Sequence, residues 1–351
     1  MCQNNCGERQ SLDIMNLLRT SIRKLRSFVR RCRKEWFTKK FPTGGPNFHS
    51  VFSIGIYTGK NPFDLKPAKG VTNPVLTASD VSDVTADFVA DPFILRDGDQ
   101  WHMFFEVMNR ETQRGQISCA TSTNGYQWQY QRIVLDEPFH LSYPYVFFWE
   151  GDYYMIPETY QARAIRLYKA VRFPFEWTFV KILVEGEAFV DASPFFDNDQ
   201  WWMFAASGSE EQWYSADLRL FHANHLTGPW LEHPQSPLVK NDMHIARPAG
   251  RVRRVNGKII RLTQDCHPLY GRLVRAFEVT QLTETQYQEC GASRRPVLNP
   301  TGTGWNACGM HHMDAHLTDD GLWLACVDGW RFENKPLKIP EPTQAGDSPP
   351  L

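Results

Sequence analysis

From about residue 50 onward the chain reads as short apolar runs, rich in aromatics and separated by turn residues, the pattern of half-buried β-strands. The runs recur. With the turn residues Asp99, Gly151, Asp199, Gly257 and Gly321 as anchors, an apolar strand opens two positions later each time, at Trp101, Tyr153, Trp201, Ile259 and Trp323. A strand with a polar or proline-marked start precedes each anchor: Asp91-Pro92-Phe93, Ser142-Tyr143-Pro144, Asp191-Ala192-Ser193-Pro194, Ala246-Arg247-Pro248 and Met313-Asp314-Ala315. Anchor spacings of 52, 48, 58 and 64 residues suit four-stranded propeller blades joined by variable loops.

The first four hairpins are each followed by a second pair of runs: 116–122 with 128–135, 165–170 with 177–184, 218–223 with 230–238, and 274–279 with 286–290. The fifth has no such sequel, because the chain after Trp330 carries five prolines and ends in polar residues. Runs at 51–57 and 71–76 read as the outer half of a blade at the other end of the chain. Joining them to the fifth hairpin closes the ring and removes its free edges. The expected fold is an all-β, five-bladed β-propeller over residues 51–333, its last blade completed by N-terminal strands. A β-sandwich accounts for the strands but not for the missing outer pair.

Residues 13–40 break the pattern. Met15, Leu18, Ile22, Leu25, Val29, Cys32 and Trp36 recur in steps of three and four, which places them on one face of a helix, with Asp13 able to cap its start. Ten Lys/Arg against one acid in residues 19–40 make the opposite face cationic. That composition suits a helix lying on anionic lipid, and equally a helix packed on the body with a solvated basic face. Residues 1–12 are expected to be disordered and 334–351 to form a Pro-rich tail.

Net charge is −1, so outside residues 19–40 acids exceed bases by ten, which argues against nucleic acid as a ligand of the body. No uncharged apolar run approaches the roughly 18 residues a spanning helix requires, and Arg19, Arg23, Lys24 and Arg26 interrupt any secretory signal. The expected location is the cytoplasm, with residues 13–40 a candidate contact for the inner membrane face. Eight cysteines without a CxxC pair read as reduced thiols rather than a zinc ribbon or a disulfide framework.

In a propeller the inner strands line a central channel, so polar residues repeated at one end of them converge. Seven residues after each anchor stand Glu106, Glu158, Ala206, Gln264 and Asp328, while Asp91, Asp191, Arg247 and Asp314 lie near the starts of the preceding strands. In a hairpin the start of one strand lies beside the end of the next, which puts both sets at one mouth. Tyr143, Tyr145, Tyr160, Trp213, His244, His311 and His312 would surround them. Carboxylates accept hydroxyl hydrogen bonds and aromatic faces cover a sugar ring. Glu106, Tyr143, Tyr145, Arg247, Gln264, Asp265, His311, His312, Asp314 and Asp328 are therefore candidate carbohydrate-binding residues.

Each acid alone would be no more than a strand-end cap or an arginine's partner; their alignment across repeats is what points to a site. Crowded carboxylates raise one another's pKa and divide into acid and base. For a glycosidase-like reaction Asp91 would be the base, Glu158 the acid, and Asp191 the residue holding the sugar or tuning the acid. His312, Asp314 and His316 share a strand face, but no second ligand cluster accompanies them, so neither a metal nor another cofactor is expected. Cys266 lacks the spaced His/Asn signature of a nucleophile.

With five blades, Asp91-Pro92-Phe93 and a sugar-shaped mouth, the architecture resembles the five-bladed glycoside hydrolases of families 43, 32 and 68. More particular are Phe104-Phe105-Glu106-Val107-Met108-Asn109, Glu137-Pro138-Phe139-His140-Leu141-Ser142-Tyr143-Pro144-Tyr145, Ile156-Pro157-Glu158, Ala246-Arg247-Pro248-Ala249-Gly250-Arg251 and Gln264-Asp265-Cys266. These strings are similar to the N-terminal domain of plant glucosamine inositolphosphorylceramide transferases, over about residues 51–333. The resemblance implies a role in glycan, glycolipid or surface-polysaccharide synthesis. In the plant proteins transfer is attributed to a separate C-terminal domain, and bacterial relatives sometimes join this domain to a sugar formyltransferase. The expectation is thus a propeller that recognises a sugar or glycolipid headgroup without itself transferring it, beside a glycosyltransferase or formyltransferase partner. A membrane-associated scaffold for such an enzyme is a further alternative. Against the family 43 pattern Asp91 matches the general base. The second Asp and then the Glu acid do not follow in order, since Glu158 precedes Asp191 and the fourth blade opens with Arg247-Pro248.

Overall fold

The apolar runs fold as twenty strands in five four-stranded sheets in a computed structural model that describes residues 48–208 and 216–334. β1 (Phe48–Gly59) and β2 (Lys66–Pro67) come first in the chain. The first complete blade is β3 (Ala86–Asp97), β4 (Gln100–Asn109), β5 (Arg114–Ser122) and β6 (Gln129–Leu135). The second is β7 (Ser142–Trp149), β8 (Asp152–Glu158), β9 (Ala164–Arg172) and β10 (Glu176–Glu185). β11 (Phe189–Asp197), β12 (Gln200–Ser207), β13 (Asp217–Ala223) and β14 (Leu231–Glu232) make the third; β15 (Arg253–Val255), β16 (Lys258–Asp265), β17 (Leu273–Leu282) and β18 (Tyr287–Gly291) the fourth. The fifth sheet runs β19 (Met313–Leu317), β20 (Trp323–Asn334), β1, β2, and so draws on both ends of the described chain.

A blade packs a neighbour on each face, so its central strands are apolar on both sides rather than alternating with solvent. Phe93, Val146 and Met155 fill one such layer, Ile156, Met203 and Phe221 another, and Leu262, Val274 and Val327 a third. Two expected strands are shorter than their apolar patterns. Within 71–76 the side chain of Asn73 accepts from Ile56 N at 2.8 Å and donates to Ile56 O at 3.0 Å, substituting for a ladder, and only Leu76 bridges to Ile54. Within 230–238 only Leu231–Glu232 form a ladder, because Pro234 and Pro237 supply no N–H, and beyond it His233 N and Leu238 N donate singly to Leu220 O (2.9 Å) and Leu218 O (2.8 Å). The basic arm at 13–40, residues 1–12, Trp213 and the tail beyond 334 lie outside the described residues.

Three successive inner strands carry the same bulge. Ala90 pairs with Glu106 and Phe93 with Phe104, so Asp91 and Pro92 together oppose a single residue. Ser142 and Tyr145 flank the same irregularity opposite Glu158 and Ile156, and Val190 and Ser193 opposite Ala206 and Phe204. The first bulged residue is left-handed each time: Asp91 at φ 52°, Tyr143 at 45°, Asp191 at 54°. Such backbone costs about 1–3 kcal/mol per residue and bulges gather next to functional sites. The fifth hairpin has no bulge: Met313 pairs with Val327 and Asp314 with Cys326.

Candidate functional site

The bulges decide which polar residues meet. A cavity of about 730 Å³ opens at the end of the inner strands where Asp91 and Glu106 lie, and its wall also takes in Glu158, Arg247 and His311. Arg247 Nε donates to Asp191 Oδ2 at 2.5 Å, and its Nη2 reaches Glu158 Oε2 at 3.5 Å. Gln264 Nε2 donates to the same Asp191 oxygen at 2.9 Å. The aligned acids of blades two and three thus share one guanidinium, itself stacked over Tyr270 at 5.2 Å.

On the other side Asp328 organises a relay. It accepts from the backbone N–H groups of Asp91 (2.9 Å), His311 (3.2 Å) and His312 (3.0 Å), and from His311 Nδ1 at 2.7 Å. Burial favours the neutral acid, but His311 and these hydrogen bonds outweigh it and hold Asp328 below the usual carboxylate range. An ionised carboxylate only accepts, so His311 Nδ1 carries the proton and Nε2 is presented to Asp91 Oδ1, 3.6 Å away. Burial opposes the charged form of His311, yet Asp328 and then Asp91 raise its pKa above the ordinary histidine value.

Asp91 is pushed up to about 7, by burial first and then by Asp328 and Asp191 against the pull of His311 and Arg247. Glu158 is raised well above its ordinary value by burial and Asp191, with Arg247 opposing. Glu106 is raised well above its ordinary value by burial and by the neighbouring Asp91 and Glu158. Its Oε1 is buried without a hydrogen-bond partner among the described residues. His140 Nε2 lies 3.5 Å from it. His140 Nδ1 accepts from Gly115 N at 2.9 Å, which fixes the proton on Nε2, and burial lowers the ring to about 4. Gly115 is required here: a Cβ would stand 2.2 Å from Leu141 O and 2.8 Å from Glu106 Oε1.

Of the residues expected at the mouth, Asp91, Glu106, Glu158, Arg247, His311 and Tyr160 line the cavity, and Asp191, Gln264 and Asp328 support them from behind. Others lie elsewhere. Tyr143 is fully buried, its hydroxyl bonded to Ser193 Oγ (2.8 Å) and to Gly250 N (2.7 Å) and O (3.1 Å). It packs with Phe93 and His312, whose ring burial pushes down to about 4, to form a floor under the cavity. Tyr145 lies beneath Arg251 at 4.7 Å. Asp314, expected beside Asp91, sits one rung deeper because it stands seven residues before its anchor Gly321 where Asp91 stands eight before Asp99: it pairs with Cys326, the rung that Phe93 and Phe104 hold in the first blade, and there it holds Arg251 in a bidentate pair at 2.9 and 3.1 Å. Asp265 is a structural node between His244 (2.9 Å) and Arg275 (2.8 Å).

Sequence reasoning missed His140 and the aromatic lining: Phe52, Phe88, Tyr270, Trp330 and Phe332. Strand alternation carried part of that signal. Trp330 and Phe332 lie two and four residues beyond Asp328, and Phe88 two before Ala90, on the same strand faces. Asp91, His311 and Asp328 also bring ligand-type atoms within 4.8 Å of one another. Two carboxylates and an imidazole are a donor set for a divalent cation. They come from opposite ends of the chain, where no spacing rule could associate them.

These observations define a five-bladed β-propeller with a carboxylate-rich cavity at one mouth, and solved structures share that fold. A thermostable family-43 glycoside hydrolase matches with a TM-score of 0.53 at 12% identity, over 72% of this chain and 92% of its own. The Cellvibrio cellulosa alpha-L-arabinanase complexed with arabinohexaose matches at 0.50 and 14%, over 71% and 93%. At these identities the likeness is one of fold alone.

The chain belongs to the family described as glucosamine inositolphosphorylceramide transferase 1, N-terminal, which matches residues 46–330. Proteins named glucosamine inositolphosphorylceramide transferase 1 from Oryza sativa subsp. japonica and Arabidopsis thaliana are 36% and 32% identical to it over 307 residues. The match covers 82% of this chain but 41% and 40% of those proteins, so the chain spans about two fifths of their length. Among the described residues no helix is long and apolar enough to cross a membrane.

Proposed function

We propose that the propeller binds a sugar or glycolipid headgroup in this cavity and serves glycan or glycolipid synthesis. The observation that carries the reading is one cavity joining buried carboxylates, Asp91, Glu106 and Glu158, with the rings of Phe52, Tyr270 and Trp330. Acids accept the hydroxyl hydrogens of a sugar, and rings cover its apolar face. Arg247 is engaged by Asp191 and Glu158, which leaves the remaining wall acid-rich and suited to a ligand bearing an amine. Glucosamine, a word in the relatives' name, is the first ligand to try. Calorimetry should give saturable binding of glucosamine, weaker binding of glucose and N-acetylglucosamine, and at least tenfold weakening in Glu106→Gln. Absence of heat with every sugar at millimolar concentration sinks the reading.

One observation favours a second reading, reaction at a glycosidic bond. Asp91 is held near neutrality beside His311 and in the same cavity as the raised Glu158, which suits acid–base work. Asp91 would act as base, Glu158 as acid and Asp191 as the tuning residue. Turnover of chromogenic glycosides that Asp91→Asn abolishes supports this; turnover that survives the substitution removes it. A partner glycosyltransferase or sugar formyltransferase would supply or consume the sugar. Residues 13–40 would hold the assembly to anionic membrane from the cytoplasmic side, a role that vesicle sedimentation with and without residues 1–40 tests.

A further inference from the structure

Below the floor of Phe93, Tyr143 and His312 lies a second buried charged cluster that the sugar reading does not use. Asp314 stands at its centre. Its Oδ1 accepts from Arg251 Nε at 2.9 Å, and its Oδ2 from Ile94 N (2.9 Å), Arg251 Nη2 (3.1 Å) and His316 Nε2 (3.1 Å). An ionised carboxylate has room for about four such bonds, and Arg251, Ile94 and His316 already supply that number to Asp314, three of them on Oδ2. Arg253 is left over. Its Nη2 comes no nearer than 3.5 Å to Oδ1, and neither Nε nor Nη2, both buried, has a hydrogen-bond acceptor among the described residues.

The charge count is equally one-sided. Burial pushes His316 down to about 4, so it is neutral, and two guanidiniums face one carboxylate. Burial and the adjacent Arg251 lower Arg253 to about 10, which still leaves it charged at neutral pH. A buried charge without a full complement of partners is costly, and an incoming anion relieves that cost.

The cluster is also reachable. Arg253 pairs with Ile260, and the same rung in the other four hairpins holds Leu95, Phe147, Phe195 and His316. All five residues are half-buried, and the Arg253 side chain is 31% exposed. The shared rung lies toward the turn end of the inner strands, away from the cavity, and puts three apolar residues, one imidazole and one guanidinium at one level. Apolar neighbours lower the local dielectric and strengthen a charge contact.

We propose that this end of the channel binds a small oxyanion, a phosphate group above all, with Arg253 as its principal ligand. The planar guanidinium fork matches two phosphate oxygens, a geometry that a lysine ammonium does not offer. The site is independent of the sugar cavity, and either reading can fail without the other.

The test is thermal denaturation of the full chain titrated with inorganic phosphate, against sodium chloride at equal ionic strength. A saturable rise in midpoint is expected for the wild type and for Asp91→Asn, whose change lies in the cavity at the opposite end, with at least a tenfold weaker response in Arg253→Gln. Arg253→Gln removes an excess charge and should fold; Arg253→Lys, which keeps the charge but loses the fork, should respond more weakly than wild type. Vesicles of phosphatidylcholine with phosphatidylglycerol identify the carrier. Arg253-dependent sedimentation puts the phosphate on a lipid, whereas a response to free phosphate alone makes it soluble, and either supports the site. A wild-type midpoint that moves no further in phosphate than in chloride, with no Arg253-dependent sedimentation, overturns it, as does an Arg253→Gln response equal to wild type.

Discussion

The two ends of the channel are built from equivalent positions of the same five hairpins, yet they carry opposite excess charge. At the cavity end Asp91, Glu106, Glu158, Asp191 and Asp328 face one arginine, Arg247, and one histidine, His311. At the other end Arg251 and Arg253 face Asp314 alone. A single register step separates the two outcomes: Asp91 and Asp191 stand eight residues before their turn anchors and meet the cavity acids, while Asp314 stands seven before Gly321, pairs with Cys326 and lies below the floor. A strand carboxylate takes its role from the rung it occupies, and one residue's difference in distance from the turn is enough to change the rung.

The largest effect should come from removing the cation at the cavity end. Arg247→Met leaves Asp191 and Glu158 uncompensated and should cost about 3–5 kcal/mol at pH 8, part of it recovered at pH 5 as Glu158, whose pKa burial already raises, takes up a proton. Arg251→Met should lose less than half as much, since Arg253 stands ready to pair with Asp314. Urea denaturation at both pH values measures each loss, and equal losses would erase the distinction between the ends. Next comes the join between blades four and five. Gly250 has φ +134°, and a Cβ there would lie 1.9 Å from Met313 O, so Gly250→Ala should lose about 3 kcal/mol in the same assay.

Proton linkage separates the ends further. In the fold Asp91 titrates at about 7, against 3.8 for the free side chain, so the unfolded chain ionises first. Ionisation of the unfolded state therefore destabilises the fold progressively from about pH 4 to 7, and by a constant amount above. His311, raised in the fold, contributes stability below about pH 6.5 that is lost as pH rises through its folded value. Stability should fall between pH 5 and 8. Asp91→Asn should flatten the curve, gaining about 1–3 kcal/mol on wild type at pH 8 and nearly nothing at pH 4. A wild-type curve that rises over this range contradicts the assignment. The smallest effect belongs to the floor. Tyr143→Phe loses its hydroxyl bonds to Ser193 and Gly250 and should cost about 1–2 kcal/mol, equally at pH 5 and pH 8, because neither partner titrates.

The repeat was legible because each blade reuses one pattern of turn, aromatic opening and apolar run, and that pattern is local. The alignment of Glu106, Glu158, Gln264 and Asp328 was legible for the same reason: seven residues from a tight turn fix a rung whenever the second strand is regular. First-strand residues were less secure. Asp91 and Asp191, eight residues before their anchors, met the acids as expected, while Asp314, seven before Gly321, fell one rung short of them. His140 escaped notice because it reaches Glu106 from a loop, held by a hydrogen bond from Gly115.

By itself, then, the order of residues determined the number of blades, the turns that punctuate them and the acid-bearing rung, because short-range hydrophobic alternation and turn chemistry encode them within a few positions. Tertiary structure alone decided which carboxylates share Arg247, which one holds His311, and that Arg253 is left without an equal partner. Those outcomes depend on contacts between blades distant in the chain, which no local pattern encodes.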